Sequence, residues 1–417
     1  MAVKNENGTI IPPMYRIQQL FDSREIEDVG KAIEEQFSLL DLSERIRPGQ
    51  RVAVAVGSRG IDRLPEIVAA VVKCLREFEL KPFIFPAMGS HGQGTAEGQA
   101  ALLNELGINE TAVGAPVISS MDVVSLGLIE SGAQVFVSKD AAEADHLMVI
   151  GRVKPHTAFR ADIESGLCKM LAVGCGKHSG AAQMHKFGLA ASIVPAAKLI
   201  AGRISILCGL AIVENSLDRT YQVKLALPDE FVHIDQSCLK IARKLLPVIP
   251  LNDLDILIID EMGKNISGAG IDPNIVGFWR REGGPRTPDY RTLIVLDVTA
   301  HSHGNALGIG MADLTTRRVM DMIDLKATYT NALASGIWSG ARLPIALEDD
   351  RQVIETAISR IPDLNRIRMA RIVNTLHLET FWATKPLLSE LQEIAGVSID
   401  KKPLELVFSK SNRLMPF

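Results

Sequence analysis

Apolar runs of strand length alternate along this chain with longer segments whose apolar positions recur every three to four residues. "RVAVAVGSRG" predicts a buried strand ending in a loop, and "LPEIVAAVVKCLREF" the amphipathic helix that follows it. "KPFIFPAMGSHGQG" repeats the strand and loop, and "TAEGQAALLNELG" predicts a helix capped by the Thr95 hydroxyl. "ADHLMVIGRVKPHT" is a third strand, with His156 just beyond its C-terminal end. The recurrence of strand, glycine loop and helix predicts parallel α/β units.

A second set of elements begins after "LLPVIP", where two prolines precede a fresh buried strand at Asp255 to Asp260. It contains the strand "RTLIVLDVT", a helix after Asp313, the apolar "ARLPIALE" and the strand "RMARIVNT". The expectation is two α/β domains with largely parallel sheets, residues 1–250 and 251–417. The strand-like tail "LELVFSKSN" could pair with either sheet, so the final strand could return to the first domain.

Composition narrows the partners. A net charge of −4 and 5% aromatic residues give no general pull toward nucleic acid and no base-stacking surface. No apolar run reaches the roughly eighteen residues of a membrane span. The start, "MAVKNENGTIIPP", lacks the apolar region of a secretory signal. Five cysteines, odd in number and without a CxxC pair, read as reduced thiols of a cytoplasmic protein.

The chemistry concentrates in "KPHTAFRADIESGLCKMLAVGCGKHSGAAQMH". His156 follows Pro155, which keeps Lys154 extended, and a rigid strand-end imidazole suits acid–base work. Lys169 lies in a helical or near-helical turn among Leu167, Cys168, Met170 and Leu171, where its ammonium would be partly desolvated. On a helix, His178 and His185 share a face but stand ~10 Å apart, so one metal would take only one of them. His91 sits in the glycine turn "GSHGQGT", whose match to a dinucleotide fingerprint breaks at Glu97. Lys264 in "DEMGKNISGAG" is a candidate anion-binding cation at a strand end, and His301 with His303 resembles a metal pair. HExxH, GxSxG and P-loop signatures are absent from the sequence.

Taken in order, Arg59, His91 in "GSHG", His156 in "KPHTAF", Lys169 in "SGLCKM" and His185 resemble the nickel-pincer lactate racemase family. The interval from Lys169 to His185, 185 − 169 = 16 residues, is that family's spacing between the cofactor-bearing lysine and the metal-binding histidine. The resemblance implies a two-domain α/β isomerase with its site in the interdomain cleft. It implies a nickel-pincer nucleotide, a pyridinium mononucleotide with two sulfur-bearing groups, joined to Lys169 by a thioamide and ligated through nickel by His185. His91 and His156 become the paired acid–base residues and Arg59 a cation that orients the substrate or His91. Ser165 and Gly166 become the nearest donors for the nucleotide phosphate, and Lys264 a second contact for the substrate carboxylate. A small 2-hydroxy acid would be the substrate, racemised or epimerised by hydride transfer, and cofactor-synthesis enzymes would be partners.

The chain also departs from the family. "VGSRGID" keeps Arg59 without the usual Asp, Gly92 follows His91 where the racemases tend to have Arg, and His156 to Lys169 is a long interval. These departures point to a substrate other than lactate, a larger hydroxy acid or a sugar acid. A nucleotide-dependent oxidoreductase using Gly89 to Gly94 and a catalytically inactive nucleotide- or metal-binding homologue are the alternatives. The set of family positions counts against the second.

Overall fold

The computed structural model describes residues 11–58 and 60–417, with the side chain of Ala334 set aside. The chain forms two compact α/β units, one of residues 22–246 and one of residues 247–417 together with the N-terminal segment up to Phe21. Chain order opens with β1 (Met14–Gln19), which belongs to the sheet of the C-terminal unit.

The unit of residues 22–246 is built on β2 (Arg51–Val56), β3 (Lys81–Pro86), β6 (His146–Arg152), β7 (Ile206–Glu214) and β8 (Thr220–Ala226), with a separate hairpin of β4 (Val123–Leu128) and β5 (Gln134–Ser138). The five strands lie in the order β3-β2-β6-β7-β8, parallel except for the β7–β8 pair. Both faces of the sheet are covered, which is why the strands read as unbroken apolar runs. Val52, Val54 and Val56 pack with Ile67, Val68, Val71 and Leu75 of the helix Leu64–Glu77. Ala53, Ala55, Leu147 and Val149 pack on the other side with Leu167, Leu171, Ile193 and Phe231. Each fully buried aliphatic side chain of this kind contributes on the order of 1.5–3 kcal/mol.

The C-terminal unit adds β9 (Asp253–Ile259), β10 (Asp289–Val295), β11 (Leu314–Thr316), β12 (Ile345–Leu347), β13 (Met369–Ile372), β14 (Thr380–Thr384) and β15 (Val397–Ile399). Its sheet runs β12-β11-β10-β9-β13-β14-β1-β15, parallel from β12 to β13 and antiparallel beyond. This unit takes up the chain again at Pro247, and β1 belongs to it rather than to residues 22–246. Met14 and Ile17 are fully buried there, and β1 fills the place between β14 and β15. The tail remains in the same unit, because Leu404 bridges Met14 and Phe408 bridges Leu414. The five cysteines are free and buried, and no helix among the described residues is long and apolar enough to cross a membrane.

Candidate active site at the strand ends

Strand order decides which loops become neighbours. From β2 the chain moves to β3 on one side, then returns to place β6 on the other. The order reverses between β2 and β6, and it is at the C-terminal ends of strands beside such a reversal that open α/β sheets bind ligands. The loops leaving β3, β2 and β6 carry His91, Ser58 and His156 respectively.

His91 extends from the β3 loop and pairs through Nδ1 with the Ser58 hydroxyl beyond β2. The glycines around it are required. Gly92 and Gly94 have φ of 61° and 67°, and a Cβ on Gly92 would lie 2.7 Å from the Gln99 nitrogen. The loop is therefore pressed onto the start of the helix Ala96–Glu105, which Thr95 caps by accepting from the Gly98 amide.

His156 is held from two sides. Its backbone N–H donates to the buried Glu164 carboxylate at 2.7 Å, and Nδ1 accepts from the Ala158 amide at 3.0 Å. Glu164 also accepts from the Ala161 amide and from Arg243, so one buried carboxylate closes the whole loop. The imidazole centroid lies 4.5 Å from that of Phe159, and Lys169 Nζ lies 6.0 Å from the same ring. Phe159 thus links the histidine to the lysine, a role the sequence did not suggest.

Lys169 ends a short helical turn (Leu167–Lys169) that continues into a π-helical segment (Met170–Gly174). Such π-turns are frequent at functional sites. The segment lies across the strand ends: a side chain on Gly57 after β2 would meet Met170 at 3.7 Å, and one on Gly151 of β6 would meet it at 2.9 Å. Leu167, Cys168 and Leu171 are buried while Lys169 is half-buried, as its apolar neighbours predict.

The following helix, Lys177–Lys186, carries both remaining histidines. They face different neighbours. A side chain at Gly94 would meet the His178 ring at 3.5 Å, so His178 lies against the His91 loop. His185 is exposed at its outer side, but crowding around the ring, and secondarily the Lys169 charge, hold its pKa below the ordinary histidine value. The lysine and His185 are therefore electrostatic neighbours. Among the described residues no group of three or more His, Cys, Asp or Glu side chains gathers to hold a metal, at His301 and His303 or elsewhere.

Other predicted positions fare differently. Arg59 lies outside the described residues. Ser165 Oγ donates to the Lys154 carbonyl at 2.7 Å and accepts from the Lys154 amide at 2.6 Å, which ties the loop shut. Gly166 has φ 98°, and a Cβ there would lie 2.1 Å from Asp235 Oδ1. Both residues are thus engaged in building the turn. Lys264 follows β9 as predicted, and within its own unit its ammonium donates to the Gly268 carbonyl and to Asn331 Oδ1.

Asp235 was missed, although an acid on the apolar face of "FVHIDQSCLKIARKL" is a readable signal. It is fully buried and accepts from the Leu167 and Cys168 amides, each at 2.8 Å, capping the turn that presents Lys169. Burial pushes its carboxyl from 3.8 up to about 6, against the lowering effect of those two bonds. A carboxyl whose folded pKa is raised holds its proton better in the folded chain, so its contribution to stability falls as pH rises through that window. Relative to Asp235→Asn, which removes the titration, the parent should lose roughly 3 kcal/mol between those two pH values. Urea unfolding of both proteins at several pH values measures this. A pH-independent difference would contradict it.

Residues 9–192 match the family described as lactate racemase N-terminal domain. Among solved structures, the chain is similar to the lactate racemase apoprotein from Thermoanaerobacterium thermosaccharolyticum, with 13% identity, 79% of this chain and 86% of that chain covered, and a TM-score of 0.48. No curated protein sequence matches the chain. Residues 9–192 thus carry a lactate racemase N-terminal domain.

Proposed function

We propose that this protein is an isomerase that racemises or epimerises a small 2-hydroxy acid, with Lys169 and His185 holding a nickel-pincer nucleotide. One observation carries the reading: the order β3-β2-β6 sets the His91, Ser58 and His156 loops side by side, with the Lys169 segment laid across them through Met170. The residues present fit the group. Lys169 offers a half-buried amine for covalent attachment, and His185 offers an imidazole close enough to feel the lysine's charge. A nickel centre that receives sulfur and carbon donors from its own cofactor needs only one protein ligand.

When bound, the nickel-pincer nucleotide supplies an acceptor and donor of hydride. The chain's own residues then handle the proton and the geometry. The substrate hydroxyl must lose its proton as C2 loses hydride and regain it afterwards, and either stereoisomer must be served. Two histidines at separate strand ends meet that need, one on each side of the reacting carbon. In both, Nδ1 is held, by Ser58 in His91 and by the Ala158 amide in His156, which fixes how each ring is turned. The Glu164 closure fixes where His156 stands, and Phe159 keeps bulk water from one side of it.

Separate His91→Ala and His156→Ala proteins should each lose interconversion of D- and L-hydroxy acids by roughly 10²-fold or more, the usual scale for an acid–base group. Nickel content should stay near that of the parent. Polarimetry against a panel of hydroxy acids, with metal analysis of the same samples, tests this. Loss of nickel in both variants would make the histidines ligands and overturn the assignment.

A further inference from the structure

Lys177 is a fully buried lysine that the proposed chemistry does not use. It opens the helix of His178 and His185 in the left-handed region, φ 54°, which is uncommon for a side-chain-bearing residue. Its ammonium donates to the Pro86 carbonyl at the end of β3 at 2.6 Å and to Gln99 Oε1 at 3.3 Å, and stands 5.5 Å from the Phe85 ring centroid. Burial pulls its pKa down to about 8, with Cys175 and Asp140 acting the other way. Gln99 is also fully buried, and its Nε2 donates to the Gly89 carbonyl at 2.9 Å and the His91 carbonyl at 3.2 Å.

We propose that Lys177 and Gln99 are a positioning pair, a buried relay that sets the His91 loop against the helix carrying His185. The relay works through amide polarity. An ammonium can only donate, so it obliges Gln99 to turn Oε1 toward it and both Nε2 hydrogens toward the loop carbonyls. A rotated amide would set Oε1 against the carbonyls of Gly89 and His91 and leave the ammonium facing an NH2 group, an arrangement with several buried polar groups unmatched. The His91 peptide is thereby located from within the core, while Ser58 locates its ring from outside. Because the relay starts on the His185 helix, it couples the acid–base loop to the residue proposed to bind nickel. This role for the pair rests on the reading of His91 as an acid–base residue.

Two substitutions separate positioning from mere stability. Gln99→Glu keeps the volume and gives Lys177 a carboxylate partner, but offers acceptors to two carbonyls that need donors. Lys177→Met keeps the chain length and removes the ammonium that orients the amide. The holoenzyme variants should retain nickel and covalent loading at Lys169, keep KM within about twofold, and lose roughly tenfold or more in kcat, the scale of a displaced catalytic group. In the apoprotein, labelled with ¹⁵N-histidine, the His91 Nδ1 resonance should move toward its position in Ser58→Ala. An unmoved His91 resonance in either folded variant overturns the relay, as does a moved resonance with unchanged kcat. If one variant does not fold, the other carries the test. A parent enzyme inactive on every hydroxy acid would defeat the proposed function alone, since the resonance still reports on the relay.

Discussion

A Lys169→Arg protein, made in cells that synthesise the nickel-pincer nucleotide, should emerge at its bare polypeptide mass, while the parent gains the mass of a sulfur-bearing mononucleotide. The prediction follows from what the turn does to its lysine. Asp235 fixes the first two amides, the buried Leu167, Cys168 and Leu171 clamp the flanks, and Lys169 is left half-buried over the Phe159 ring. Acylation requires a neutral amine, and lysine can supply one where arginine cannot, because the guanidinium stays charged throughout the accessible pH range. Arginine therefore keeps the charge and most of the bulk while removing only the nucleophile. Activity should fall by roughly 10⁶-fold or more, to the background of the uncatalysed reaction. Intact mass, peptide mapping of the adduct and polarimetry are the measurements. A fully active Lys169→Arg enzyme would remove covalent cofactor attachment from the account.

The second large effect should separate two histidines on one helix. His185→Ala should strip nickel from the protein and abolish isomerisation, whereas His178→Ala should keep most of its metal. Both lie on Lys177–Lys186 seven residues apart, so helical geometry alone ranks neither first. Their surroundings do. Lys169 is an electrostatic neighbour of His185, while His178 packs against the glycine turn at Gly94. A cofactor anchored at Lys169 would meet the imidazole that shares the lysine's surroundings, that of His185. Nickel per chain, determined on dialysed holoenzyme for both variants, decides it, and the reverse order of metal loss would exchange their roles. His178→Ala should instead disturb the His91 loop, seen as a lower kcat with nickel retained.

Much of the local structure was legible in the chain. The predicted strands at Arg51–Val56, Lys81–Pro86 and His146–Arg152 form as read, because a parallel strand buried on both faces must be a continuous apolar run. Thr95 caps its helix as its position predicts. The turn at Lys169 begins at Leu167, since Gly166 takes a positive φ against Asp235. Lone polar residues on apolar faces, Asp235, Glu164, Gln99 and Lys177, were passed over. Each is satisfied by partners far away in sequence, which periodicity does not reveal.

By itself, then, the sequence determined the α/β class, the strand-end placing of His91 and His156, and the 16-residue interval between Lys169 and His185. These depend on local periodicity, turn chemistry and spacing, all properties of short stretches. Only the tertiary structure decided that β6 lies beside β2 rather than beside β3, and this alone sets the two histidine loops on either side of Ser58. Only it decided that β1 leaves the N-terminal half to pair between β14 and β15. Strand pairing is chosen by burial and backbone hydrogen bonding among segments distant in the chain, and an apolar run satisfies the same local rule whichever neighbour it takes.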